Sequence, residues 1–234
     1  MLKSLIIESV DRLGKNTLVD GLRKKLGYFD VIHYQKPILL ELFVNEASQK
    51  LNLDVSDPSV ISLALKKYQE KSFLNMFKML SYPEIRYIMN RGHCGEAVYS
   101  HRYRNYSGDY VFDLEQSLRT DDKDCFSNST LLVLLKTSSF EFIKDDGLSF
   151  DFSKKEEEQI DFINAFKRSS IKNKLIIDVH DGEGNFVPAE EILNAVIYAY
   201  TELDNIAIKK TLRITWRVHQ DVLQRYEMLI GDKR

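Results

Sequence analysis

Apolar and polar residues fall in blocks along this chain, with short apolar runs set between longer stretches of helical period. Ser4–Glu8 predicts a first strand, Phe29–Tyr34 a second and Glu84–Met89 a third. Thr130–Lys136 reads TLLVLLK, a continuous apolar run of the kind buried on both faces of a parallel sheet. Lys174–Val179 predicts a fifth strand. Between them, Leu18, Leu22 and Leu26 form one stripe over Lys15–Leu26, and Ile61, Leu65, Tyr68, Phe73, Phe77 and Leu80 recur over Pro58–Ser81. Asp57 before Pro58 is a helix start signal. Further helices are predicted over Val111–Leu118, Glu156–Arg168 and Pro188–Leu203.

Five strands separated by helices predict an α/β fold, a five-stranded parallel sheet with helices on both faces and ligands at the C-terminal strand ends. Residues 1–203 then form one domain. The tail, 204–234, supports two readings. Leu212, Ile214, Trp216 and Val218 alternate as in a strand, while Leu212, Trp216, His219, Leu223, Tyr226 and Ile230 fit a heptad helix. Either way this C-terminal extension is amphipathic and expected to pack, on the domain or across a homodimer.

Composition narrows the class. With 234 residues, 44% of them hydrophobic, the chain is long enough to bury a core as one domain. A net charge of −2 shows no global basic bias, so nucleic acid is not an expected partner. Two cysteines, Cys94 and Cys125, are too few for a disulfide framework and read as reduced intracellular thiols. The first strand starts too near Met1 for a signal peptide, and no apolar run reaches membrane-spanning length, so a cytoplasmic protein is expected. The charged runs Asp121–Asp124 and Lys154–Glu158 read as solvated surface.

The passage from the first strand into the first helix carries the sharpest chemical signal. Glu8-Ser9-Val10-Asp11-Arg12-Leu13-Gly14-Lys15-Asn16-Thr17 places a glycine and a lysine at a helix entry, the layout of a phosphate-binding loop. Backbone N–H groups there have no partner inside the helix, and the helix dipole adds partial positive charge. A polyphosphate meets both needs, and Lys15, expected in a solvent-facing loop, adds a full charge. Leu13, Gly14, Lys15, Asn16 and Thr17 are the candidate phosphate contacts. Ser9 stands where the first glycine is usual, and Asn16 where Ser or Thr is usual.

A second cluster, Asn90 to Arg104, follows the third strand and reads as too polar for the core. Its arginines can hold phosphates as planar forks, and its tyrosines can pack on a base or sugar. His93, Cys94 and His101 lack the second ligand cluster of a zinc site. Neighbouring His93 and Cys94 are not expected to face each other as base and nucleophile.

These residues resemble thymidylate kinases. Glu8–Thr17 is similar to the family pattern in which Asp-Arg precedes Gly-Lys, and Asn90-Arg91 with Tyr99 is similar to its Asp-Arg motif and downstream aromatic. The string Arg91-Gly92-His93, Glu96, Val98-Tyr99 and Tyr103-Arg104 resembles thymidylate-kinase-like proteins of bacteriophages. Asp145–Phe150 falls where a lid is expected, within 137–153, and Ile177-Asp178-Val179 with Asp181-Gly182 near the adenine end. The resemblance runs from Met1 to Ala199.

It implies a P-loop kinase fold that moves the γ-phosphoryl group of ATP, with Mg²⁺, onto a deoxynucleoside monophosphate, dTMP or a 5-substituted dUMP. A phage protein would do so in the host cytoplasm. Such transfer rests on positioning and charge neutralisation. Lys15 would hold the β- and γ-phosphates, and Arg12 would lie over the transferring group, since the lid offers Lys144 and no arginine. Asp11 would accept from the 3′-hydroxyl, and Arg91 with Lys36 would hold the acceptor phosphate. Phe73 would stack on the base, with Tyr99, Tyr103 and Glu96 around the acceptor. Asn16 and Thr17 fall at the magnesium position. Asn90 replaces the magnesium aspartate, with Glu8 and Glu96 the nearest carboxylates to stand in. The rival readings are a kinase of a modified base or hydroxymethyluracil in DNA, a deoxynucleoside kinase, and a catalytically weak nucleotide-binding subunit.

Overall fold

The computed structural model describes residues 2–34, 57–82, 84–120, 125–141, 143, 151–181, 183–205, 211–216 and 226–230. Lys36, Lys144, Asp145–Phe150 and Gly182 lie outside them. One sheet organises the chain. Its strands are β1 (Ser4–Glu8), β2 (Asp30–His33), β3 (Tyr87–Asn90), β4 (Thr130–Lys136), β5 (Asn173–Asp178), β6 (Thr211–Trp216) and β7 (Tyr226–Ile230), in the order β2-β3-β1-β4-β5-β6-β7. β2 to β5 and β1 pair in parallel, which is the expected five-stranded parallel sheet. Central β1 sets Ile7 against Asn90 on one side and Val133 on the other.

The helices are α1 (Lys15–Leu26), α2 (Pro58–Leu80), α3 (His93–Tyr103), α4 (Tyr110–Ser117), the single turn α5 (Phe126–Ser129), α6 (Lys155–Arg168) and α7 (Ala189–Asn205). α1 packs with α7, while α3 packs with α4 and α6, and α2 with α4. Both sheet faces are therefore covered, which is why β1 is buried along its whole length and β4 up to Leu135. Among the described residues no helix is long and apolar enough to cross a membrane.

Four differences from the sequence expectation have physical causes. β3 starts at Tyr87, not Glu84, because Ile85 is exposed and only Tyr87–Asn90 are enclosed. In α2 the buried stripe is Leu65, Gln69, Phe73, Met76, Phe77 and Leu80, and Tyr68 points to solvent. The polar cluster after β3 is not a surface loop. It folds as α3, with His93, Cys94, Glu96, Val98 and Ser100 buried, Glu96 held inside by Arg104, Tyr106 and Tyr110 and His93 by Glu115. The tail takes the strand reading of Leu212–Trp216, and the heptad helix is excluded there. β6 continues the parallel sheet beside β5, and β7 returns antiparallel beside it.

Candidate active site

The candidate phosphate loop leaves β1 at Glu8 and enters α1 at Lys15. Arg12 (φ 79°) and Gly14 (φ 76°) are both left-handed. Glycine adopts that conformation freely, whereas in arginine it costs about 1–2 kcal/mol. Gly14 thereby caps α1, its carbonyl accepting from the Leu18 N–H at 3.0 Å. Lys15 is not solvent-facing. It is buried, and its ammonium donates to the Ser9 carbonyl (3.0 Å) and to Ser9 Oγ (2.8 Å). The serine in place of a glycine gives the lysine a resting acceptor. Burial first, then the Arg91 guanidinium, lowers Lys15 to about 8, against the opposite pull of Asp11 and Glu8. Arg12, Asn16 and Thr17 are exposed along the loop, and Leu13 is anchored in the core.

The chain leaving β3 meets this loop. Arg91 is also left-handed (φ 74°); its backbone N–H donates to the Ile7 carbonyl at 3.0 Å, and its guanidinium donates to Asp11 Oδ1 at 2.9 Å. Gly92 is required by close approach: a Cβ there would sit 2.7 Å from Ile6 Cγ2 and 3.1 Å from Glu8 Oε1. Glu8 is buried and accepts from the N–H groups of Cys94 (3.0 Å) and Gly95 (3.3 Å), which docks the N-terminus of α3 on the end of β1. Burial raises its carboxyl, and His93 and Lys15 oppose that rise.

Beside the loop opens a cleft of about 630 Å³, its mouth included. Glu8, Asp11, Phe73, Arg91, Glu96 and Tyr99 line it, so six residues singled out in the sequence converge there. Phe73 is buried and stacked on Tyr34 at 4.7 Å, which leaves it only part of its surface to offer. The Tyr99 hydroxyl is buried without a hydrogen-bond partner. Burial, with Asp11 and Glu158 nearby, raises its pKa far enough to keep it a neutral donor. Glu96 accepts from Arg104, from Tyr106 (2.7 Å) and from Tyr110 (2.8 Å). Tyr103 stands outside the lining and reaches it through Glu158, to which it donates at 2.5 Å.

The lining residues that the sequence did not single out as site residues include Gln69, Arg104, Lys155 and Glu158. The run Lys154–Glu158 is not uniformly solvated. Lys155 and Glu158 are buried and paired at 2.8 Å. The signal was periodicity. Phe162, Ala165 and Phe166 form the buried stripe of α6, and stepping back by four and then three residues lands on Glu158 and Lys155. Gln69 likewise falls one turn before Phe73.

Two further groups sit beside the site. At the end of β3, Asn90 Nδ2 donates to Asn16 Oδ1 (2.8 Å) and meets His33 Nδ1 (2.9 Å), while Asn90 Oδ1 is buried without a partner. Behind α3, Cys94 Sγ does face His93 Nε2, at 3.8 Å, contrary to expectation, and Glu115 lies 2.8 Å from the same nitrogen. All three are buried, so no substrate reaches this thiol. Burial opposes a charge on His93, but Cys94 and Glu115 reverse this and raise it well above the usual value. Ligand atoms of Glu8, His93 and Cys94 lie within 4.8 Å of one another, and His101 is exposed and apart from them.

The sheet order, with a loop after β1 and helices on both faces, matches the folds of P-loop kinases. Several solved structures share the fold. One is YorR from Bacillus subtilis in complex with phosphorylated GDP, with TM-score 0.54 and 16% identity over 86% of this chain and 97% of that one. Another is thymidylate kinase from Ehrlichia chaffeensis, with TM-score 0.51 and 12% identity over 84% of this chain and 97% of that one. No protein-family model and no curated protein sequence matches the chain.

Proposed function

We propose that the chain is an ATP-dependent kinase of deoxynucleoside monophosphates, with dTMP and 5-substituted dUMP the first acceptors to test. The observation that carries this reading is the meeting of two things at one sheet end. A phosphate loop with a buried lysine stands beside a cleft that holds Arg91, Arg104, Phe73 and Tyr99. In this reading the α1 N-terminus and Lys15 receive the donor phosphates, Lys15 leaving Ser9 to do so. Arg12, projecting from the same loop, neutralises charge that grows on the transferring group. Arg91 turns from Asp11 to the acceptor phosphate, and Asp11 then accepts from the sugar. Tyr99 donates its one unused hydrogen bond to the acceptor.

A magnesium ion would meet a neutral donor set beside Asn16. The set consists of neutral oxygens, Asn16 Oδ1 and the orphaned Asn90 Oδ1, while Glu8 caps α3 and Glu96 is held by three donors. Such oxygens fit an ion that arrives with the nucleotide phosphates, and Asn16 and Asn90 would hold it by water or amide contact. The ion would supply charge neutralisation on the phosphates.

One observation favours a second reading. Arg91, Arg104 and Lys155 are each paired to a carboxylate in the cleft, Asp11, Glu96 and Glu158. A cleft so balanced suits an uncharged deoxynucleoside. ADP release from ATP and magnesium, measured with the four deoxynucleoside monophosphates and then the four nucleosides, separates the two. Release with monophosphates supports the first reading, release with nucleosides alone replaces it by the second, and release with neither overturns both.

A further inference from the structure

Lys155 and Glu158 are an unusual pair to find beside a phosphate loop. Their side chains are 3% and 0% exposed, they lie one helical turn apart on α6, and both line the cleft that Ser9, Asp11 and Arg91 also line. Taking a lysine and a glutamate out of water costs several kcal/mol per ion, and a buried pair seldom recovers more than an apolar pair would give. Stability alone therefore explains the pair poorly.

The hydrogen bonding around Glu158 is asymmetric. Oε2 accepts from Lys155 at 2.8 Å, and Oε1 accepts from the Tyr103 hydroxyl at 2.5 Å. If the ammonium left, the carboxylate would still hold a strong neutral donor. The lysine has three donors on a flexible stem and gives one to a carboxylate oxygen, so it has capacity for another anion.

We propose that Lys155 is a phosphate-binding residue of this site, which exchanges Glu158 for an oxygen of the acceptor phosphate while Tyr103 keeps Glu158 satisfied. The assignment rests on the monophosphate kinase reading and extends it to a residue that α6 brings into the same cleft. Lys155 is also among the charges that depress Lys15, which places both ammoniums in one electrostatic site. The exchange answers the charge balance of the cleft: an incoming phosphate takes a cation from its carboxylate instead of needing an additional one.

The test uses the full chain with ATP and each deoxynucleoside monophosphate, and compares Lys155→Met, Glu158→Gln and the double variant. Lys155→Met alone strands a buried carboxylate and is expected to melt early, so the double variant, which removes both charges, carries the measurement. Losing one charge-assisted contact should lower kcat/KM for the acceptor about tenfold to a hundredfold in the double variant, mostly through KM. KM for ATP should stay within about twofold. Glu158→Gln alone frees the lysine and should lower the acceptor KM, a result that a merely structural pair would not produce. If wild type turns over a monophosphate and the double variant keeps its acceptor KM within about twofold, the inference is overturned and the kinase reading stands. If wild type releases ADP with no monophosphate, the reading itself fails and the inference with it.

Discussion

Two buried ion pairs lie on either side of α3, and they differ in what they face. His93 and Glu115 are sealed: both are fully buried, and Glu115 also accepts from Ser169 Oγ (2.7 Å) and the Ser170 N–H (2.5 Å). Lys155 and Glu158 are as dry but open onto the cleft. Burial alone therefore does not distinguish a structural pair from a functional one. The distinction lies in the free volume beside the pair. Removing both charges of the cleft-side pair together should change turnover and spare stability, and substitutions on the sealed side should do the reverse.

The largest effect is expected at Lys15. Lys15→Ala should abolish transfer and leave the circular dichroism spectrum unchanged. Losing the donor to the buried Ser9 carbonyl should cost about 1–3 kcal/mol in a denaturant melt. Because Lys15 is held at about 8, kcat/KM for ATP should fall as pH rises through that value and the ammonium loses its proton. Lys15→Arg, which stays charged, should flatten that limb if it is active at all. Turnover near wild type in Lys15→Ala would remove the loop from phosphoryl transfer.

Arg12 comes next. Arg12→Ala should lower kcat by about 10²–10⁴ and move KM values far less, since the charge matters most in the transition state. Arg12→Lys should recover only part of this, because an ammonium lacks the planar fork. Full kcat in the alanine variant would make Lys144 the next residue to test.

On the sealed side, Glu115→Gln should cost about 3–5 kcal/mol of stability and leave kcat of the folded fraction intact. The pH dependence has a definite sign. Burial works against the Glu115 charge, but His93 and Ser169 lower its pKa below 4.5, so its contribution is full above that value and fades as pH falls through the lowered pKa. His93 is raised above 6.5, so its contribution is full below that value and fades as pH rises through the raised pKa. The gap between wild type and variant should thus be widest between 4.5 and 6.5. A gap that grows steadily into alkaline pH would contradict the pairing.

The fold was legible wherever a run of one residue class matched one element. β1, α1 and β4 have the bounds their patterns predict, because a continuous apolar run or a clean leucine stripe admits one reading. The candidate site was legible in part: Gly14-Lys15 at a helix entry marked the loop after β1, and Arg91 with Tyr99 marked the cleft. Three kinds of information were hidden. Polar residues inside an apolar stripe, such as Gln69 and Lys155, read as surface until the helix phase is extended through them. The Arg91–Asp11 pair joins residues far apart in sequence, and no local pattern encodes it. The positive φ of Arg12 and Arg91 left no trace, because the glycine that usually signals it is absent.

Those two arginines set stability and activity against each other. A left-handed arginine at position 12 keeps about 1–2 kcal/mol of backbone strain in the resting protein, which glycine would release. A thermostability screen run without nucleotide should therefore enrich Arg12→Gly, and the clones it rewards should be the ones that no longer turn over. Engineers seeking a hardier version of this protein would do well to fix position 12 first and look for gains elsewhere.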